Sequence, residues 1–427
     1  MTSDQQALLR QRLAKKGVVI APANDDSPRA RPPGETAPLS FAQERLWFVQ
    51  QLQPGNTAYL LGQAFALFGP LDAAALGAAW TDVVRRHEEL RTGFTERDGR
   101  ATRITVVAET VPLAIEDLSA LAPAERTARL ASRTHAVLET PFDLARAPLV
   151  RLHLVTLGSG EHRLLFCVHH VVFDGWSIGV LLRDLATAYR ARIAGSADAL
   201  APLPLSYADY ASWQRVRAAS QEWAEALRAW ERRLAGAPVL ALPTDHRRPE
   251  VLSGRGAGHR FTLSSTLVTA LRALSQTQQA TLFMTLLAGW QTLLARYSGQ
   301  ADFGVGASVA NRGHPALEGL VGFFVNLIVL RADLADDPEF RTLLRRTATE
   351  VQAALARQEI PFDQVVERLK VPRDPSHHPV FQVGFTLQNM PAGRAELAGR
   401  RRTFRSGGGI PCALANDSKY VMQGPKS

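Results

Sequence analysis

Cysteine is nearly absent from this chain, since only two of its 427 residues, Cys167 and Cys412, are of that type. Two cysteines cannot build a disulfide framework or a cysteine-rich metal site, and their scarcity fits the cytoplasm. No apolar run approaches the roughly 20 residues that span a bilayer. The start, Met1–Gln6, has neither the basic residues nor the apolar stretch of a secretory signal. The sequence therefore predicts a globular chain outside the membrane.

Acidic residues are outnumbered: 49 Lys and Arg against 40 Asp and Glu give a net charge of +9. Such a balance suits nucleic acid, anionic surfaces or acidic protein partners. The arginines are mostly scattered among carboxylates, apart from Arg400–Arg402, and no zinc-finger spacing or Gly-rich phosphate loop accompanies them. Nucleic acid is therefore the less favoured partner.

The most informative stretch is the apolar run from Leu164 to Val172, which predicts a strand buried on both faces. His169 and His170 interrupt it. Successive side chains on a strand point to opposite faces, so we expect one imidazole to face a cavity and the other to be packed behind it. For the pair alone, a hydrogen-bonded core pair is a simpler interpretation than catalysis. The run ends at Asp174–Gly175, where apolar residues at helical spacing predict a helix.

The rest of the chain predicts a mixture of helices and strands. Residues 1–38 indicate a short amphipathic helix followed by a linker rich in Pro, Asp and Arg. The further predictions are a helix capped by Ser40, a strand at Tyr59–Leu67, a helix from Asp72, a hairpin leading into the histidine strand, helices at 265–277 and 281–297, and strands at Phe303–Val309 and Phe381–Gln388. From these patterns alone, the chain is an α/β protein of enzyme-like character.

His169-His170-Val171-Val172-Phe173-Asp174-Gly175 fits the pattern His-His-x-x-x-Asp-Gly, and in this the chain resembles the condensation domains of nonribosomal peptide synthetases. Trp176-Ser177 extends the likeness to the condensing type. Six further stretches resemble the other motifs of that family, in family order: Ser40–Trp47, Arg86–Phe94, Tyr207–Trp213, Val321–Asn326 with Asn311-Arg312, Gln358–Asp363, and Arg373–Pro379. In the last of these, His377-His378 stands where the family usually has Arg-Asn.

The resemblance implies an α/β fold of two chloramphenicol-acetyltransferase-like lobes in a V-shaped pseudo-dimer. We place the linker at residues 1–38, the N-terminal lobe at 39–219 and the C-terminal lobe at 220–427. After Phe381–Gln388 the chain lacks the further strands and closing helix that are usual in the family. The second lobe is therefore expected to be truncated, with residues from about 395 onward weakly ordered.

For activity, the resemblance implies an acyltransferase that forms an amide bond in the biosynthesis of peptide antibiotics. The amine of an acceptor aminoacyl thioester attacks a donor acyl or peptidyl thioester. Donor and acceptor carrier proteins, next to an adenylation domain, supply both substrates on phosphopantetheine arms. The domain itself is expected to bind no metal or other cofactor, because thioesters are already activated.

By resemblance, the second histidine, His170, is the catalytic residue, and His169, Asp174 and Gly175 support it. Asp174 is expected to hold its loop through an arginine, because a buried carboxylate needs a charged partner. Arg91 is the first candidate for that partner, with Arg86 and Arg312 behind it. Whether His170 acts as a base or orients the amine stays open at this point.

Two rival functions accompany this prediction. A stand-alone acyltransferase that uses coenzyme A thioesters would share the fold and the histidine. A non-catalytic platform that binds carrier proteins is the other alternative. The intact His169–Gly175 motif counts against it, because a domain without catalytic activity could lose these residues. Amide formation with loaded carriers separates the three.

Overall fold

The computed structural model describes residues 27–387 and 405–406, except 33, 197–198, 247–248, 251–257, 260 and 372–375. The helix predicted near the N-terminus and most of the tail from residue 395 lie outside the described residues. Predictions about those segments therefore stay predictions.

The first half of the chain supplies most strands. Its elements are α1 (Phe41–Leu52), β1 (Leu60–Phe68), α2 (Ala73–Arg86), β2 (Thr92–Arg97), β3 (Arg100–Thr105), β4 (Leu113–Asp117), α3 (Pro123–Glu139), β5 (Val150–Gly158), β6 (Glu161–His169) and α4 (Gly175–Ile193). The predicted strand after Tyr59, the helix beginning after Asp72 and the hairpin into the histidine strand are confirmed.

One sheet positions the histidine strand, with the order β4-β5-β6-β1-β9, in which β9 is the short strand Arg405–Ser406. Strand β6 pairs antiparallel with both β5 and β1, and His169 lies opposite Leu60. A strand flanked on both edges and covered on both faces buries every second residue on each side, which explains its continuous apolar run. The short strand β9 (Arg405–Ser406) pairs with β1 at Phe65 and Ala66.

Polar side chains fix the starts of the helices around this sheet. The Ser40 hydroxyl accepts the Gln43 N–H of α1 at 3.1 Å, and the Gln43 amide oxygen accepts the Ser40 N–H in return. The Asp72 side chain caps α2 by accepting the Ala75 N–H, and the Asp174 side chain caps α4 by accepting the Ser177 N–H. Each cap satisfies a backbone donor that a helix otherwise leaves unpaired, typically stabilising the fold by about 1 kcal/mol.

The second half is richer in helices. It contains α5 (Tyr207–Arg217), α6 (Gln221–Leu234), α7 (Ser265–Thr277), α8 (Leu282–Ser298), β7 (Asp302–Val309), β8 (Asn326–Asp333), α9 (Phe340–Leu355) and α10 (Phe362–Leu369). The strand predicted at Phe381–Gln388 is wrong in extent, because among its described residues, 381–387, only Gly384 forms a bridge, to Gly306 of β7. No helix within the described ranges is both long and apolar enough to cross a membrane.

Two large apolar cores organise the molecule. The first covers the five-stranded sheet, and the second lies between α8, α9 and the β7–β8 pair. Val321 and Phe323 belong to the second half in sequence but are buried in the first core. The segment before β8 therefore reaches across to the histidine strand. The domain boundary at residue 219 stays a prediction.

Candidate active site

The histidine strand ends earlier than the sequence predicts. Strand β6 stops at His169, and His170–Val172 form a short 3₁₀ turn. The backbone N–H of His170 donates to the carbonyl of Tyr59, the residue just before β1, at 2.8 Å. The expectation that the two histidines alternate along one strand is therefore wrong. The change in backbone direction, not strand alternation, separates their rings.

The His170 ring is held in one tautomer. Its Nδ1 lies 2.7 Å from the Phe173 carbonyl oxygen. A carbonyl can only accept, so Nδ1 carries the proton and Nε2 presents a lone pair. The edge of Phe323 packs against the ring at a centroid distance of 4.7 Å, and the residue is 4% exposed. Nε2 is thus the ring atom that is chemically free to accept a proton.

The surroundings also keep this imidazole neutral. Burial is the main cause that lowers the pKa of His170 below its ordinary value. The charge of Asp174 and the hydrogen bond to Phe173 oppose that shift, while the charge of Arg45 adds to it. A lowered pKa leaves His170 uncharged at neutral pH, which is the form that can accept a proton.

His169 has a different environment, 1% exposed beneath the turn. Its Nδ1 accepts the backbone N–H of Val171 at 3.2 Å, so the proton resides on Nε2, which is buried without a hydrogen-bond partner. Burial, with a smaller contribution from His170, lowers its pKa to about 3. His169 therefore acts on the backbone that orients His170 and is closed to solvent.

The low pKa of His169 predicts a pH dependence of stability. The folded chain excludes a proton that the unfolded chain binds below pH 6.5, so stability falls as the pH drops from 6.5 towards about 3. One such residue contributes a slope of at most about 1.4 kcal/mol per pH unit. We expect His169→Gln to flatten the fall in unfolding free energy between pH 6.5 and 5, measured by urea titration. Replacing His135, whose side chain is 73% exposed, serves as the control. Equal slopes in the wild type and His169→Gln would contradict this assignment.

Asp174 is buried and fully engaged. As the cap of α4, it accepts the Ser177 N–H at 2.9 Å and the Ser177 hydroxyl at 2.7 Å. It also accepts the backbone N–H of Phe324, from the segment before β8, at 3.1 Å. These bonds leave the carboxylate no free position from which to take a proton from a substrate.

The arginine partner of Asp174 is Arg312, and the choice of Arg91 as first candidate is wrong. Arg312 Nη2 lies 3.1 and 3.3 Å from the two carboxylate oxygens of Asp174. Arg91 instead donates to the Val106 carbonyl at 2.8 Å, because it lies at the start of the β2–β3 hairpin and serves that hairpin. Gly175, another predicted supporting residue, is the first residue of α4.

Arg312 is itself held from several sides. Its Nη1 donates to the carbonyls of Leu317 and Leu320, and its guanidinium stacks 3.9 Å from the centre of the Phe324 ring. Burial lowers its pKa, and the charge of Asp174 counteracts that effect. The pair thus locks the segment 312–324 against the turn that carries His170.

A buried network that the sequence did not reveal supports the turn from its other side. The Gln43 side-chain amide donates to the Val171 carbonyl at 3.2 Å and to Glu89 at 3.0 Å. Arg103, from β3, pairs with the same Glu89. One signal for this network is present in the sequence, since Gln43 and Glu89 lie in the first two motifs. No short-range pattern in the sequence, however, indicates that they contact Val171.

Gly322 allows the crossing segment to approach closely. A methyl group at this position would overlap the ring of Tyr207, whose hydroxyl donates to the Phe323 carbonyl at 2.6 Å. Overpacking of this kind typically costs about 1–3 kcal/mol. We expect Gly322→Ala to lower the unfolding free energy by that amount. Gly313→Ala is the matched control, since a methyl there meets nothing within 4 Å. Similar stabilities of the two variants would contradict this close packing.

Comparison with known proteins places this chain in one family. A family model of the condensation domain matches residues 34–405. The chain is similar to a linear gramicidin synthase protein of Brevibacillus parabrevis, with 44% identity over 361 residues, which are 84% of this chain and 5% of that protein. The chain therefore spans only a small part of that relative.

Solved structures agree with the sequence relatives. The X-domain from teicoplanin biosynthesis superposes with a TM-score of 0.77 at 31% identity, covering 88% of this chain and 83% of that one. That X-domain has also been solved in complex with OxyB. The first condensation domain of the calcium-dependent antibiotic synthetase, in complex with a substrate analogue, gives a TM-score of 0.68 at 26% identity, covering 87% and 84%. The mixed α/β fold is thus shared with condensation-domain structures.

Proposed function

The chain belongs to the condensation-domain family of nonribosomal peptide synthetases, whose general activity is amide-bond formation, and we propose that this chain joins two carrier-bound substrates. The amine of an acceptor aminoacyl thioester attacks the carbonyl of a donor acyl, aminoacyl or peptidyl thioester. The observation that carries this proposal is the neutral His170 ring, whose Nδ1 proton is committed to Phe173 and whose Nε2 is free to accept.

The reaction is a transfer of one acyl group. An α-amino group has a pKa near 8, so a large fraction is protonated and unreactive at neutral pH. His170 Nε2 accepts a hydrogen bond from the neutral amine and then its proton as the C–N bond forms. The C–S bond breaks, and the proton leaves with the thiolate, which restores the starting tautomer. A base placed in this way typically contributes a factor of about 10²–10⁴ to the rate.

Orientation of the two substrates is the second part of the proposal. Phe173 and Phe323 fix the orientation of the His170 ring, so the amine would have to approach along the direction of the Nε2 lone pair. The backbone N–H groups of Gly175 and Trp176 at the start of α4 have no partner within the helix and suit the developing oxyanion, whereas that of Ser177 is already bound by Asp174. Holding two tethered reactants in line can remove about 7 kcal/mol of barrier or more.

We further infer that the two halves form two chloramphenicol-acetyltransferase-like lobes with His170 at their junction. Three contacts between the halves support this: the ion pair of Asp174 with Arg312, the bond of Tyr207 to Phe323, and the approach of Arg45 in α1 to Asp363 in α10 at 3.5 Å. Donor and acceptor carriers would present their phosphopantetheine arms to the cleft from opposite faces of this V.

The remaining parts of the proposal concern the setting of the reaction. Carrier proteins supply both thioesters, and an adjacent adenylation domain charges the acceptor carrier. No step in this scheme uses a metal or a cofactor bound to the domain itself. Cys167, buried in β6, forms no disulfide among the described residues, and this suits a reducing cytoplasm.

The direct test is amide formation with separately loaded donor and acceptor carriers, followed by intact-mass spectrometry. We expect the dipeptidyl product on the acceptor carrier and a thiol on the donor carrier. Equal turnover with a coenzyme A thioester as the donor would favour the stand-alone acyltransferase. Binding of both carriers without product would favour the non-catalytic platform.

A further inference from the structure

A second candidate site lies far along the chain from the histidine motif, where the C-terminal ends of α6 and α9 meet. A cavity of about 210 Å³ opens there. Its walls are formed by Ala229, Trp230, Arg232, Arg233, Ala353 and Arg357. The small side chains of Ala229 and Ala353 leave the space open. Apart from the indole of Trp230, every polar side chain in the wall is the guanidinium of an arginine.

Two of these arginines are held in place by neighbouring groups. Arg233 Nε donates to Glu350 at 2.7 Å, and the same carboxylate also accepts the backbone N–H of Arg331 at 3.0 Å. Trp230 Nε1 donates to the Arg357 carbonyl at 3.1 Å and ties that residue to α6. The cavity is therefore a preformed feature of the helix junction.

The carboxylates nearest in sequence are engaged elsewhere. Glu231 pairs with Arg368 at 2.8 Å, and Glu359 pairs with Arg217 at 2.8 Å. Glu350 balances Arg233. Within the part of the chain that the structure describes, Arg232 and Arg357 line the cavity without a carboxylate partner. Arg232 is exposed, and Arg357 Nη1 donates to the Ala353 carbonyl at 2.9 Å, so no carboxylate balances either charge.

The charge of Arg357 also acts on Arg233. Burial, and after it the charge of Arg357, lowers the pKa of Arg233. Basic residues at a helix C-terminus interact favourably with the helix dipole, which accounts for Arg232 and Arg233 in the last turn of α6. Arg357 follows the end of α9, where its Nη1 donates to the Ala353 carbonyl at 2.9 Å, and it contributes to the same cavity.

From this convergence we propose that the cavity binds a phosphate group with two negative charges, either inorganic phosphate or the phosphomonoester end of a larger molecule. Three arginines and one glutamate leave a charge of +2 at the site. A phosphomonoester carries about −1.5 to −2 at neutral pH and so matches that charge. The planar forks of arginine bind phosphate oxygens in pairs, which a cluster of ammonium groups would not do.

The test is calorimetric titration of the full chain with inorganic phosphate, against sodium chloride at equal ionic strength. We expect one saturable site for phosphate and none for chloride. Arg232→Gln and Arg357→Gln should each weaken phosphate binding about tenfold or more, since each removes charge-assisted hydrogen bonds. Arg341→Gln, on the exposed start of α9, is the matched control and should bind phosphate as the wild type does.

A variant that fills the cavity distinguishes binding inside the cavity from general attraction of phosphate to the positive charges. Ala353→Leu keeps all three guanidiniums but occupies the space, so it should abolish saturable binding while the chain stays folded by circular dichroism. Titrations with free 4′-phosphopantetheine and with pantetheine then identify the source of the phosphate group. Tighter binding of 4′-phosphopantetheine than of inorganic phosphate would point to a phosphomonoester ligand. Equal binding of the two would point to inorganic phosphate. The proposal is overturned if phosphate behaves as chloride does, or if Arg341→Gln weakens binding as much as Arg357→Gln.

Discussion

His170→Ala is expected to leave a folded protein that forms amide product about 10²–10⁴-fold more slowly in single turnover. The reason is the loss of the His170 imidazole, whose Nδ1 is committed to the Phe173 carbonyl at 2.7 Å and whose Nε2 can accept the proton of the amine. The measurement is rapid quench of pre-loaded carriers, with product quantified by mass spectrometry. Because the substrates are pre-loaded, loading of the carriers cannot limit the observed rate.

Two comparisons make this result specific. His153→Gln changes another histidine of the same sheet, on β5, and should leave the rate unchanged. His169→Ala should harm stability more than chemistry, because His169 holds the Val171 N–H and is closed to solvent. A near-normal single-turnover rate in His170→Ala would refute the assignment of His170 as the catalytic residue.

Asp174→Ala is expected to lower the unfolding free energy by about 3–5 kcal/mol, because it leaves the buried Arg312 without its counter-charge. Both side chains of this pair are 2% exposed, so water cannot replace the lost carboxylate. The variant also removes the cap of α4 and the bond to the Phe324 N–H. Chemical denaturation followed by tryptophan fluorescence measures the change.

A double variant distinguishes the orphaned charge from the lost cap. Asp174→Ala combined with Arg312→Met removes both charges and should recover part of the stability lost in Asp174→Ala alone. Asp336→Ala, which breaks an exposed pair with Arg346, is the control and should change the stability little. An unchanged stability of Asp174→Ala together with lost activity would instead assign Asp174 a direct part in the chemistry.

Much of the local structure could be predicted from the sequence. Ser40, Asp72 and Asp174 start helices where the pattern of side chains indicates, and the hairpin β5–β6 leads into the histidines as expected. These features depend on neighbours within a few residues, so periodicity and capping chemistry are sufficient to find them. The family itself was also predictable, because motif spacing along the chain carries that information without any coordinates.

The contacts that join distant segments required the tertiary structure. Asp174 and Arg312 are 138 residues apart in sequence, and Gln43 and Val171 are 128 residues apart. The sequence showed that Asp174 needs an arginine but could not choose among the available ones, because the choice depends on which loop packs against α4. Arg91 is closer in sequence, yet its own hairpin uses it.

What the sequence by itself determined is the set of local elements and the family that their motifs specify. The tertiary structure alone decided the end of β6 at His169, the tautomer of His170 and the identity of the Asp174 partner. The physical reason is that a helix or strand is selected by the spacing of apolar side chains along a few turns of chain. The partner of a buried charge and the tautomer of a buried imidazole depend instead on which polar atoms the packed core brings within about 3 Å of them.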